Sequence, residues 1–146
     1  MSEPIAAGRA TGAPLALAAL VAAPGGAARL EPGGDAVRVA RAEAAALFRS
    51  APHLVCHAGF TARRLGLSEP GRRATGLPPH LDVAELFAFV HPARPIIPSP
   101  GGLARALGLA APETPEEAVV TLMRAADRLI ADVALLTGRN ADEARA

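Results

Sequence analysis

This chain is predicted to form a single α/β domain, in which a mixed sheet opens on an antiparallel meander and helices pack against it. Three observations carry that prediction. Three short apolar stretches near the start are separated by Pro24-Gly25-Gly26 and Pro32-Gly33-Gly34-Asp35, residues that turn one strand antiparallel to the next. Later apolar segments, at Leu54-Val55-Cys56 and just after His80, each run into a helical pattern. A long amphipathic helix then closes the chain. With 146 residues, the chain is about the size of one domain and can bury a real core.

Residues 1–12 are rich in Gly and Ala without a period and read as a loose tail, with the domain itself at 13–138. Residues 13–23 (APLALAALVAA) follow Arg9 and precede small residues, which is also the grammar of a secretory signal. Glu3 in the would-be n-region, and a turn directly after the run, favour a first strand at 15–23. The run is too short to span a membrane, which takes roughly 20 apolar residues. Strands at 27–31 and 36–40 complete the meander, and RAEAAALFR (41–49) is a compact helix of good formers that ends near Pro52.

Leu54-Val55-Cys56 is a buried strand, followed by a helix over 60–65 that stops at Gly66. Residues 68–79 hold three Pro and two Gly and form a loop. A helix over 83–90 is closed by Pro92, and 94–98 is extended. Ser99 caps the next helix, with Pro100 at its first position and Gly108 past its end. Thr114-Pro115-Glu116-Glu117 is a capping box opening the last helix. Its apolar face is Val119, Leu122, Ala126, Leu129, Ile130, Val133 and Leu136. Gly138 is expected to end it, leaving 139–146 as a frayed tail or the start of a linker.

Composition excludes several functions. Hydrophobic residues make up 51% and charged residues 20%, which is globular rather than disordered. All 15 basic residues are Arg, so the Lys that a P-loop sends to the β/γ-phosphates is missing and ATP cannot be bound in that way. A net charge of +1 gives no strong field for nucleic acid. The aromatics are Phe48, Phe60, Phe87 and Phe89, of which Phe87 and Phe89 lie in an apolar run and read as core. The lone Cys56 leaves no internal disulfide and fits a reducing, cytoplasmic compartment.

Among candidate reactive groups, Asp82 and Glu85 sit three apart on one helical face. Asp82 is placed to cap the helix after it with Glu85 as the capping-box acid, a better reading than an orphan metal site. His53, His57, His80 and His91 form no metal-ligand spacing with Cys56. Cys56 has apolar neighbours and reads as a small buried hydrophobe rather than a nucleophile. Arg63-Arg64 and Arg72-Arg73 flank the loop and could fork onto phosphate oxygens. Four charges without interleaved aromatics favour a solvated surface over that contact.

The segment LVCHAGFTARRLGL resembles the second motif of DnaQ-type 3′–5′ exonucleases, a strand running into H-N-x-x-F-D. Leu81-Asp82-Val83-Ala84-Glu85-Leu86 is similar to the D-T-L-E-L that follows there, and residues 99–109 look like the family's S-Y-S-L helix. Over residues 14–136, the resemblance is closest to the exonuclease-like N-terminal region of DinG-type ATP-dependent DNA helicases with decayed nuclease motifs. It implies an RNase H-like fold and a role in guiding DNA or binding a partner; for DNA, the basic pairs Arg63, Arg64, Arg72 and Arg73 read above are the candidate contacts. It implies further that the helicase motor, with its ATP and Mg²⁺, lies in segments outside this chain.

Catalysis does not carry over. Two-metal exonucleases need four carboxylates. The first-motif D-x-E has no counterpart in 15–23, the second-motif Asn and Asp fall at Ala58 and, with one residue fewer between them than in the family, at Thr61, and no His stands five positions before Asp127 or Asp132. Asp82, Asp127 and Asp132 remain as weak metal candidates. Two rivals to the helicase-domain reading are a free-standing protein-interaction module and a weak metal-dependent 3′–5′ nuclease using those three residues.

Overall fold

The computed structural model describes residues 16–69, 72 and 74–145. The expected tail at 1–12 and the residue Arg73 lie outside them. Five strands run β1 (Ala19–Ala23), β2 (Gly26–Leu30), β3 (Val37–Ala40), β4 (Leu54–Val55) and β5 (Leu81–Asp82). The helices are α1 (Arg41–Ser50), α2 (Ala58–Arg64), α3 (Val83–Val90), α4 (Pro100–Leu107) and α5 (Pro115–Arg145).

The turn chemistry sets the meander. Ala23 pairs with Gly26, so Pro24-Gly25 is a two-residue connection, and Gly25 takes φ 78° as the third residue of a type II turn requires. The second turn repeats the device, with Gly33 at φ 75° and the Gly34 N–H donating to Glu31 O at 2.9 Å. Gly26 answers a different need. A Cβ there would stand 2.1 Å from Val39 O, so the close approach of β2 and β3 admits no side chain.

The sheet order is β3-β2-β1-β4-β5. β1 pairs antiparallel with β2 and β2 with β3, whereas β1 with β4 and β4 with β5 are parallel. Side chains alternate across this sheet by the strand period of two. Ala19, Ala28 and Leu54 face one core with Phe87, Leu103, Leu122 and Leu129 from α3, α4 and α5. Leu20, Ala27 and Val55 face a second core with Ala44 and Phe48 of α1 and Ala62 of α2. The result is a three-layer sandwich. No helix of the described residues is long and apolar enough to cross a membrane.

Several expectations are corrected. α2 starts at Ala58 rather than residue 60, because His57 adopts a left-handed φ of 60° and caps it. Phe89 is 74% exposed although its neighbour Phe87 is fully buried. Two residues along a helix turn the side chain about 200°, and the buried face of α3 is Val83 and Phe87.

The last helix does not stop at Gly138 but continues to Arg145. Gly138 is absent from the glycines of positive φ among the described residues, and good helix formers follow it. A glycine inside an established helix costs only about 1 kcal/mol, since nucleation is already complete. At about 1.5 Å per residue α5 outruns the sheet. Its buried residues therefore end at Leu129, and Leu136, expected on the core face, is exposed beside Leu135.

Candidate nucleic-acid interface

β4 and β5 are parallel neighbours whose following helices leave to opposite faces, α2 to the core of Phe48 and α3 to that of Phe87. A crevice at the carboxyl ends of such strands is where open α/β sheets place ligands. Here it is shaped by Asp82, the buried last residue of β5. Its Oδ1 accepts from the N–H of His57 and Ala84 at 3.0 Å each and of Glu85 at 3.4 Å. Its Oδ2 accepts from the Ala58 N–H at 2.8 Å. One carboxylate thus caps two helices, satisfying donors that would otherwise be left bare at both N-termini. The expected Asp82 cap on α3 is present and the tie to α2 is additional, but Glu85 does not act as the capping-box acid: it gives its backbone N–H to Asp82 and lines the cavity beside α2.

His57 completes the start of α2. Its Nδ1 accepts from the Phe60 N–H at 3.0 Å, which places the ring proton on Nε2 in the neutral form. α2 then carries Phe60, Arg63 and Arg64 outward while Thr61 and Ala62 are buried. Gly66, at φ 77°, ends the helix as expected. Arg63 and Arg72 share one open cavity of about 540 Å³, with His57, Ser68 and Glu85 also on its wall. Arg64 instead lies over the Phe60 ring, its guanidinium carbon 5.7 Å from the centroid. The His57 ring meets the same Phe60 edge-on at 6.0 Å. Three of the four predicted arginines therefore gather around α2, and Arg73 lies outside the described residues.

Phe60 is the residue that sequence reasoning missed. It is 49% exposed and lies under the Arg64 guanidinium, an aromatic partner for one of these arginines. The available signal was its spacing, four before Arg64 and three before Arg63, the separations that place helical side chains together.

A smaller cleft of about 100 Å³ lies on the other side of Phe60, lined by Val21, Cys56, Thr61, Pro98 and Pro100. Thr61, where the exonuclease resemblance would call for the second-motif Asp, lines this cleft, and the side chains present do not fit a metal ion. The cleft wall has no carboxylate. The Thr61 hydroxyl shares its proton between Cys56 O at 3.3 Å and His57 O at 3.1 Å. Burial pushes the Cys56 thiol up to about 12, with the Asp82 charge adding to it, so no thiolate forms near neutral pH. Asp82 is committed to four backbone donors, Asp127 is exposed on α5, and Asp132 faces His91 at 3.9 Å. No group of three or more potential metal ligands occurs among the described residues.

A second buried polar contact braces the β4–β5 edge from the opposite end. The His53 N–H donates to His80 Nδ1 at 3.0 Å, and His53 Nδ1 lies 2.8 Å from Ala51 O. The His80 ring stacks on Phe48 with centroids 3.9 Å apart. Burial lowers the pKa of both imidazoles.

No family model, no curated protein and no solved structure matches the chain.

Proposed function

We propose that this chain is a non-catalytic, exonuclease-like domain of the RNase H-like class, from a DinG-type ATP-dependent DNA helicase, and that it guides DNA past α2. The observation that carries the DNA-guiding role is the convergence of Arg63 and Arg72 on one open cavity at the carboxyl edge of β4 and β5, with Arg64 on the adjoining face. Arg forks suit phosphate oxygens, and a cavity of this size leaves a sugar-phosphate chain room to pass. The sheet supports the fold assignment: an antiparallel β3-β2-β1 meander extended by parallel β4 and β5 is the arrangement the RNase H-like reading requires. ATP hydrolysis would belong to a motor in cis, and a cytoplasmic location goes with this role.

Fluorescence anisotropy with labelled DNA tests the proposal. Replacing Arg63, Arg64, Arg72 and Arg73 together with Ala should weaken binding and lower the salt slope by up to about 0.7 per arginine lost. Unchanged affinity and unchanged slope would sink it. A Mn²⁺-dependent cleavage assay on a labelled single strand should stay at background, and cleavage lost on replacing Asp82, Asp127 or Asp132 would restore the nuclease reading.

A second reading, a protein-interaction module, draws on the exposed Phe89, Leu135 and Leu136. It is favoured if substituting those three abolishes binding to a partner while the arginine variant leaves it intact.

A further inference from the structure

We propose that the overhanging end of α5 pairs with the same helix of a second copy of this chain, antiparallel about a two-fold axis between Leu135 and Leu136. Among the described residues none of α5 past Leu129 is buried, yet the helix runs on to Arg145. That overhang is about 24 Å long, at about 1.5 Å per residue. Near its middle it carries two large apolar side chains, Leu135 at 66% and Leu136 at 44% exposure. Arg128, Asp132, Leu135, Arg139 and Glu143 follow one another at spacings of four, three, four and four. They therefore share one stripe of the helix, with Leu136 at its side.

The order of charges along that stripe selects a second copy as the occupant. A two-fold interface uses the same surface of both chains, so the stripe must complement itself. An axis between Leu135 and Leu136 sets Leu135 of one copy against Leu136 of the other. It also lays Arg128 opposite Glu143 and Asp132 opposite Arg139. Symmetry makes each ion pair twice, so opposite charges flank the leucines on both sides. A parallel pair would set each of these charges against its own counterpart, like on like. The groups are placed to make the contacts. Arg139 and Glu143 are exposed, and Arg128 gives one N–H to Leu107 O at 3.0 Å while its fork holds further donors. Asp132 stands 3.9 Å from His91, too far for a hydrogen bond. A helix pair of this length is at the small end of specific interfaces, so the dimer should come apart on dilution.

Sedimentation velocity of the whole chain, from about 5 μM to about 1 mM, tests the pairing. The wild type should shift from monomer to dimer over that range. Arg139→Glu sets like charges against Asp132 at both symmetric contacts and should weaken the dimer about fivefold to thirtyfold. Asp132→Arg should do the same against Arg139. Mixing the two variants should restore the dimer, because every contact in the mixed pair is again between opposite charges. A defect in folding would not produce that recovery. Circular dichroism monitors folding, and where Asp132→Arg fails to fold, Glu143→Arg on the exposed end should weaken the dimer likewise. A chain still monomeric at about 1 mM overturns the proposal and leaves this face to a different partner. A dimer indifferent to these substitutions, or folded variants that do not recover on mixing, overturns it as well. The nucleic-acid role of α2 is read by DNA anisotropy and fails separately.

Discussion

The Asp82 carboxylate holds the backbone of His57 in a left-handed conformation, accepting its N–H at 3.0 Å from 25 residues away. His57 is the only non-glycine residue with positive φ among the described residues. That conformation is unfavourable for an L-residue with a Cβ, so it persists only where its surroundings impose it. Asp82 does so by clamping His57 and the next residue, Ala58. The α2 surface therefore depends on a residue at the far end of the following loop.

Asp82→Ala should lose about 2–4 kcal/mol of stability, since it strips acceptors from four backbone donors at two helix starts. Asp82→Asn should lose less, as its one amide oxygen can still cap one helix. Urea midpoints measure both. Equal stability of Asp82→Ala and the wild type would mean that the double cap does not form.

His57→Asn should be nearly neutral, because Asn tolerates the left-handed region and caps helices well. His57→Ala keeps the unfavourable φ and loses the acceptor for the Phe60 N–H, at a cost of about 1 kcal/mol. An Ala variant as stable as the Asn variant would remove the cap from the account.

Acid should destabilise the fold before the carboxylates titrate. Burial holds His53 below its ordinary value of 6.5, with Arg29 adding to the effect, and holds His80 below the same value, with His53 adding to it. As the pH falls below 6.5 the unfolded chain gains protons that the folded chain refuses. Stability is thus full above that pH and declines below it. Urea midpoints between about pH 7.5 and about pH 5 should fall, and His80→Gln, which can still accept from the His53 N–H, should reduce the slope. A flat profile in the wild type would contradict the burial of this pair.

Cys56 should resist alkylation at neutral pH in the folded chain and react at an ordinary rate in denaturant, because burial pushes its thiol up to about 12. Rapid labelling of the native protein by a thiol-specific dye would show Cys56 to be accessible and ionised.

Two glycines should respond with opposite signs. Gly26→Ala pushes a Cβ to 2.1 Å from Val39 O, backbone against backbone, and should cost about 3 kcal/mol. Gly138→Ala meets nothing within 4 Å and should stabilise α5 by about 0.5–1 kcal/mol. Loss of helical signal in Gly138→Ala would mean that the helix ends there after all.

Local chemistry was the legible part of the fold. Pro-Gly turns, the Ser99 cap with Pro100 and Gly108, and the Thr114 capping box act over a few residues, so their positions follow from neighbours in the chain. The 83–90 helix matched its expected bounds for that reason. Exposure was less legible, because an apolar run does not say which side of its helix finds a partner. Phe87 and Phe89 share one run and end on opposite sides of α3.

Residue order alone settles the turns of the meander, the helix starts at Val83, Pro100 and Pro115, and the absence of a Lys-bearing phosphate loop, since each depends on short-range backbone chemistry or on composition. The site needed long-range contacts. Asp82 meets His57 across 25 residues, and Arg72 lines the same open cavity as Arg63. Such pairs form because the parallel alignment of β4 and β5 brings both carboxyl ends together. That alignment is set by burial on both faces of the sheet, which no local pattern encodes.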